Sequence, residues 1–92
     1  MSNIGVGVIT CDRMDMYHVC IESIKESWCD ELVTVDDGRK EYVLAPKGEY
    51  IKTDGGVGVG KAKNKAIQHL MDKGCDYIIL VEDDMKLTDN IF

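Results

Sequence analysis

Two short apolar runs in this chain end abruptly in carboxylates. Residues 32–35 lead into Asp36 and Asp37, and residues 77–81 lead into the acidic residues 82–84. An apolar run without polar alternation is typical of a parallel strand that is covered on both faces. Because ligands of such sheets bind beyond the carboxyl ends of the strands, these acids stand where a metal ion and a phosphorylated ligand would bind.

A glycine-rich segment at residues 55–60 lies between the two runs and leads into a lysine-bearing helix. Carboxylates suit a divalent cation, whereas backbone amides at a helix start and lysine side chains suit phosphate. The combination favours nucleotide chemistry. The P-loop pattern G-x-x-x-x-G-K also occurs, starting at Gly55, but Ala62 stands where that motif needs Ser or Thr to hold Mg²⁺.

Predicted strands and helices alternate along the chain. Strands are predicted at residues 4–9, 31–35, 49–53 and 76–81, and a short one is considered at residues 42–44. One helix is predicted at residues 14–28, where apolar side chains recur every three or four positions, and a second runs from the glycine-rich segment to Gly74. This order predicts a single α/β domain over residues 1–92, Rossmann-like, with three α/β/α layers and a mostly parallel sheet of about four strands.

Charge and hydropathy exclude some classes of function. The chain has 17 acidic and 11 basic residues and a net charge of −6, whereas a protein that coats nucleic acid needs a basic surface. No apolar run approaches the roughly 18 residues of a membrane span. The start of the chain lacks the features of a secretory signal, so a cytoplasmic location is predicted.

Four short motifs follow one another: V-I-T-C-D-R at residues 8–13, V-D-D-G at residues 35–38, G-V-G-K-A-K-N at residues 58–64 and E-D-D at residues 82–84. Their order and spacing resemble the nucleotide-binding half of GT-A glycosyltransferases, most closely those of family 2. In that family the corresponding motifs are a T-Y-N-R turn, V-D-D-G, G-x-x-x-A-R-N and D-x-D. Lys63 replaces the usual Arg of the third motif, and Glu82 replaces the first Asp of the fourth.

The resemblance implies a nucleotide-diphosphosugar ligand, most often a UDP-sugar, and Mn²⁺ or Mg²⁺. It implies that Asp84 and Glu82 bind the metal. Asp83 takes the variable position of the motif, and its role is open. The residues implied to line the nucleotide-sugar site are Thr10, Asp12, Arg13, Asp36, Asp37, Gly58, Lys63, Asn64, Glu82 and Asp83. A divalent ion would bridge the diphosphate to carboxylates and stabilise it as the leaving group.

Two functions stay open at this point. The resemblance implies glycosyl transfer of the inverting type, although in the family the acceptor site and the catalytic base lie in the half that follows. The alternative is a catalytically inactive α/β module for interaction or assembly, which self-associates through the exposed edge of its last strand. The acids also have a plainer explanation, since D-G is a common turn signal and carboxylates at strand ends commonly act as caps.

Overall fold

Four strands and two helices alternate along the described chain, as the sequence predicts. The computed structural model describes residues 3–24, 28–39 and 48–83. The elements are β1 (Ile4–Thr10), α1 (Met14–Ser23), β2 (Glu31–Asp36), β3 (Glu49–Lys52), α2 (Val59–Asp72) and β4 (Tyr77–Glu82). The α/β fold class is confirmed, whereas the strand considered at residues 42–44 lies outside the described residues.

All four strands are parallel and lie in the order β3-β2-β1-β4. The chain passes through β1, β2 and β3 in one direction and then crosses to β4, on the other side of β1. Because crossovers between parallel strands are nearly always right-handed, this reversal of direction puts α1 and α2 on opposite faces of the sheet.

The core has two halves, one on each face of the sheet. Side chains alternate between the faces along a strand, so Val6 and Val8 pack with α1 whereas Ile9 packs with α2. The buried residues of the α1 half are Val6, Val8, Tyr17, Cys20, Ile21, Ile24, Leu32 and Val81. Those of the α2 half are Ile9, Val33, Val35, Ala62, Ala66 and Leu70. The result is the predicted arrangement of helix, sheet and helix in three layers.

Helix α1 is shorter than predicted. Its apolar spacing extends to Trp28, but the helix ends at Ser23, and Ile24 has extended backbone dihedrals of φ −90° and ψ 117°. The hydroxyl of Ser23 donates a hydrogen bond of 2.6 Å to the carbonyl of Cys20, and such local bonds compete with the helical pattern. Trp28 still packs against the α1 half of the core. The apolar spacing therefore reports burial rather than helix length.

Helix α2 has glycines at both ends. Gly58 precedes it with φ 105° and ψ 151°, a conformation that is essentially restricted to glycine. Gly74 follows it with φ 83°, as predicted for the residue just past a helix end. Within residues 3–24, 28–39 and 48–83, no helix is long and apolar enough to cross a membrane.

Gly60 lies in the first turn of α2 and offers a stabilising substitution. A Cβ atom at this residue would meet no heavy atom within 4 Å. Since glycine inside a helix costs about 0.5–1 kcal/mol relative to alanine, Gly60→Ala is expected to raise the free energy of unfolding by up to that amount. Urea unfolding followed by circular dichroism measures the change. A loss of stability would show that a side chain at residue 60 meets an obstacle.

Candidate functional site

The candidate site is a cleft at the carboxyl ends of β1 and β4. These two strands are neighbours in the sheet. From β1 the chain continues to β2 on one side, whereas β4 lies on the other side, so the order of the strands reverses between β1 and β4. Such a topological switch point is the usual ligand site of an open α/β sheet. We call it the switch-point cleft. Its volume is about 270 Å³, and its lining residues are Ile9, Thr10, Cys11, Arg13, Val59, Glu82 and Asp83.

Asp83 faces the α1 side of the cleft and is 6% exposed. Its Oδ2 accepts a hydrogen bond of 3.0 Å from the hydroxyl of Thr10, and its Oδ1 lies 3.5 Å from a guanidinium nitrogen of Arg13. Asp83 thus ties the end of β4 to the turn that follows β1. The sequence left the role of this residue open, because its partners are about 70 residues earlier in the chain and no local pattern marks them.

Glu82 faces the opposite side of the sheet, since consecutive side chains on a strand point to opposite faces. Its Oε1 lies 3.2 Å from the ammonium nitrogen of Lys63 on α2, and the two side chains are 52% and 35% exposed respectively. An ion pair this exposed contributes only about 0–1 kcal/mol to stability. The contact therefore matters more for the charge of the cleft than for the fold.

Asp36 is buried beside the cleft rather than open to it, with 1% exposure. Its Oδ2 accepts a 2.6 Å hydrogen bond from the hydroxyl of Tyr50, and its Oδ1 accepts one of 2.9 Å from the amide of Gly38. The carboxylate therefore joins β2 to β3 and shapes the turn after β2. Its predicted contact with a nucleotide is not tested by this arrangement and stays a prediction.

Asp37 holds the glycine-rich segment in place. Its carboxylate, 4% exposed, accepts hydrogen bonds from the hydroxyl of Thr53 at 2.5 Å and from the amides of Val57 and Gly58 at 2.9 and 3.1 Å. Burial alone would raise the pKa of this carboxyl, but these three hydrogen bonds and the nearby charge of Lys52 outweigh burial and lower the pKa. Asp37 thus carries a negative charge just before α2, at the end of the helix where the backbone dipole favours it.

Four other predicted residues differ in where they lie. Asp12 accepts a hydrogen bond of 3.2 Å from the amide of Arg39, and it adopts a positive φ of 53°, so it shapes the turn beside the cleft. Asn64 is exposed on α2 and is not part of the cleft lining. Gly58 contributes an amide to Asp37. Asp84, the predicted metal ligand, lies outside the described residues.

Cys11 lines the cleft although the sequence did not single it out. Its thiol donates a hydrogen bond of 3.5 Å to the backbone carbonyl of Asp37. Although Cys11 is exposed, partial desolvation of its thiol and the nearby carboxylates, those of Asp12 and Asp37 foremost, raise the pKa of Cys11. The thiol therefore stays protonated at neutral pH and is a weak nucleophile. The only sequence signal was its place in the turn between Thr10 and Asp12.

The described part of the cleft offers carboxylate oxygens, the type of ligand that magnesium and manganese prefer. No group of three or more His, Cys, Asp or Glu side chains within the described residues is arranged to hold a metal. Magnesium, however, is usually bound by one or two carboxylates together with water and the phosphate oxygens of a substrate. Glu82 supplies an accessible carboxylate of this kind, whereas both oxygens of Asp83 face groups of the chain.

No family model, characterised protein or solved structure matches this chain. The resemblance to GT-A glycosyltransferases therefore stays a prediction from the four motifs. The case for a function depends on the geometry and charge of the switch-point cleft.

Proposed function

We propose that this chain binds a nucleotide-diphosphosugar together with Mn²⁺ or Mg²⁺, as the donor-binding part of an inverting glycosyltransferase. The observation that carries the proposal is the switch-point cleft, whose lining includes the carboxylates of Glu82 and Asp83 and the guanidinium of Arg13. Lys63 lies beside this lining and contacts Glu82. The cleft lies at the position in an open α/β sheet at which nucleotides bind. The motif resemblance independently favours the same ligand.

The cationic side chains have the chemistry to bind the diphosphate. The side chain of Arg13 is 55% exposed and lies 3.5 Å from Asp83, so its guanidinium can also donate charge-assisted hydrogen bonds to phosphate oxygens. Lys63 supplies a second positive charge on the α2 side. Val59, which is 56% exposed, adds an apolar surface on the same side of the cleft, against which a sugar or base can pack.

A bound divalent ion would neutralise the diphosphate and stabilise it as the leaving group. Glu82 is the described residue that would hold it, and Asp84 is the second ligand implied by the resemblance. Asp83 has a different role, because it orients the side chains of Thr10 and Arg13 through its contacts with them. Donor binding is the part of the transfer reaction that these residues support.

Calorimetric titration of UDP, GDP, dTDP and CDP, each with Mn²⁺ and with EDTA, tests the proposal. One nucleotide is expected to bind with Mn²⁺, and Glu82→Gln is expected to weaken its binding by about tenfold or more, because a neutral amide is a poorer ligand for a hard cation. Asp84→Ala tests the second implied ligand. Asp72→Asn, at the far end of α2, is the control because it removes one negative charge away from the cleft.

Two outcomes would count against donor binding. If the folded protein binds none of the four nucleotides in the presence of Mn²⁺, the proposal is wrong. If Asp72→Asn weakens binding as much as Glu82→Gln, the effect reflects net charge rather than a ligand contact.

The second candidate function is an assembly module, and the edge of the sheet favours it. Among the described strands, β4 has a neighbour on one side only. Tyr77 is 61% exposed, and residues 78–80 are only partly buried. An apolar edge of this kind is a template for pairing with another chain. Dimers in sedimentation experiments, in a protein that binds no nucleotide, would favour this function over donor binding.

A further inference from the structure

The end of β4 places two carboxylates on opposite faces of the sheet, each beside a cation from a different part of the chain. Asp83 is buried and accepts a hydrogen bond from Thr10 in addition to its contact with Arg13. Glu82 is more than half exposed, and its partner Lys63 is one-third exposed. Of the two acids, Glu82 is therefore the one that a cation from solvent can reach, and its partner is free to swing away.

Lys63 competes with any cation for Glu82. Its ammonium lies 3.2 Å from the carboxylate oxygen, which is a salt-bridge contact. A divalent ion that binds Glu82 must displace this group, and the positive charge of Lys63 also repels the ion at such short range. Lys63 thus weakens the binding of a free metal ion to the chain.

A diphosphate removes this competition. Its oxygens offer Lys63 an anionic partner of higher charge density than a single carboxylate, and an ammonium that turns to phosphate leaves Glu82 open to the metal. Once either the metal ion or the diphosphate has bound, the Lys63–Glu82 ion pair is already broken, and the other ligand binds without having to break it. Such an effect is reciprocal, because coupling between two binding equilibria is the same from either side.

We propose that the Lys63–Glu82 ion pair makes cation binding in the switch-point cleft depend on a bound diphosphate. Lys63 is then a specificity-determining residue, since the cleft binds a metal–diphosphate complex in preference to either a free metal ion or an uncharged nucleoside. This inference rests on the proposed function and defines its ligand class more narrowly.

The test measures Mn²⁺ affinity from the electron paramagnetic resonance signal of unbound Mn²⁺, with and without saturating UDP. Lys63→Met is expected to bind Mn²⁺ alone about five- to tenfold more tightly than the wild type, because the competing ammonium is gone. The same variant binds UDP alone more weakly, because a phosphate partner is lost. In Lys63→Met, UDP therefore strengthens Mn²⁺ binding by a smaller factor than in the wild type. Part of the strengthening remains, because the metal ion also contacts the phosphate directly.

Two matched variants distinguish the loss of the Lys63–Glu82 ion pair from a change in net charge. Lys65→Met removes the same charge from an exposed residue of α2, and it measures the effect of net charge alone. Lys63→Arg keeps the charge beside Glu82, and it is expected to retain the weak Mn²⁺ binding of the wild type. Circular dichroism establishes that each variant is folded.

The outcomes distinguish the inference from the function on which it rests. If UDP binds but Lys63→Met and Lys65→Met have the same Mn²⁺ affinity, the ion pair does not control metal binding and the inference alone is wrong. If the folded wild type and Lys65→Met bind neither Mn²⁺ nor any of UDP, GDP, dTDP and CDP, the proposed function is wrong and the inference with it. Tighter Mn²⁺ binding together with weaker UDP binding in Lys63→Met supports both.

Discussion

Asp37→Asn is expected to lower the free energy of unfolding by about 2–3 kcal/mol at neutral pH. The carboxylate accepts three hydrogen bonds, from Thr53, Val57 and Gly58. An asparagine has one acceptor oxygen, so its amide nitrogen must face at least one of these donors. Since Asp37 is only 4% exposed, little water reaches its side of these hydrogen bonds to replace the lost acceptor. The change approaches half of the stability of a marginal domain of this size.

Urea unfolding at neutral pH, followed by circular dichroism, measures this loss. Asp54→Asn is the matched control, since Asp54 is an exposed residue of the same loop and the substitution removes the same charge. If both variants lose equal stability, Asp37 does not hold the glycine-rich segment.

The same contact predicts how stability depends on pH. The pKa of Asp37 is lowered in the folded protein, so unfolding raises it to its ordinary value of roughly 4. The stabilisation is therefore complete above that value and is lost as the pH falls through the lowered folded-state pKa. The stability difference between wild type and Asp37→Asn is expected to shrink over this acidic range. A difference that stays constant would mean that the carboxylate charge is not what binds the loop.

The fold was predictable because buried positions in strands and helices are occupied by apolar residues at regular spacings in the sequence. The apolar runs at residues 32–35 and 77–81 correspond to β2 and β4, and the spacing of Ala62, Ala66 and Leu70 marks the buried face of α2. The end of α1 was not predictable in this way. Its apolar spacing continues to Trp28 because that side chain is partly buried, whereas the backbone leaves the helix at Ile24.

The position of the acids at one edge of the sheet was predictable, but their contacts were not. Parallel strands bring their carboxyl ends to one edge of a sheet, so the acids after β2 and β4 were expected there. Which acid faces solvent and which is buried depends on residues far away in the chain. Asp37 binds amides about 20 residues later, and Asp83 binds Thr10. No local pattern distinguishes these carboxylates from Glu82, which contacts the side chain of Lys63 on α2.

Gly7→Val is expected to lower the free energy of unfolding by about 3 kcal/mol, because small residues let α2 lie close to β1. A Cβ atom on Gly7 would lie 3.0 Å from the Cβ of Ala66 and 3.2 Å from Cδ2 of Leu80. The methyl group of Ala66 cannot rotate away, so the helix itself must move. A valine adds two further carbons at this contact, and a shift of α2 also carries Lys63 away from Glu82.

Two measurements on Gly7→Val separate this mechanism from a general intolerance of glycine substitution. Urea unfolding is expected to show the large loss for Gly7→Val, an intermediate loss for Gly7→Ala, and none for Gly60→Ala, whose added carbon meets no atom within 4 Å. The electron paramagnetic resonance assay is expected to show altered Mn²⁺ affinity in Gly7→Val under conditions in which it stays folded, because the ion pair depends on where α2 lies. Wild-type stability in Gly7→Val would mean that α2 is not held against β1 at this distance, and the position of Lys63 would then need another cause.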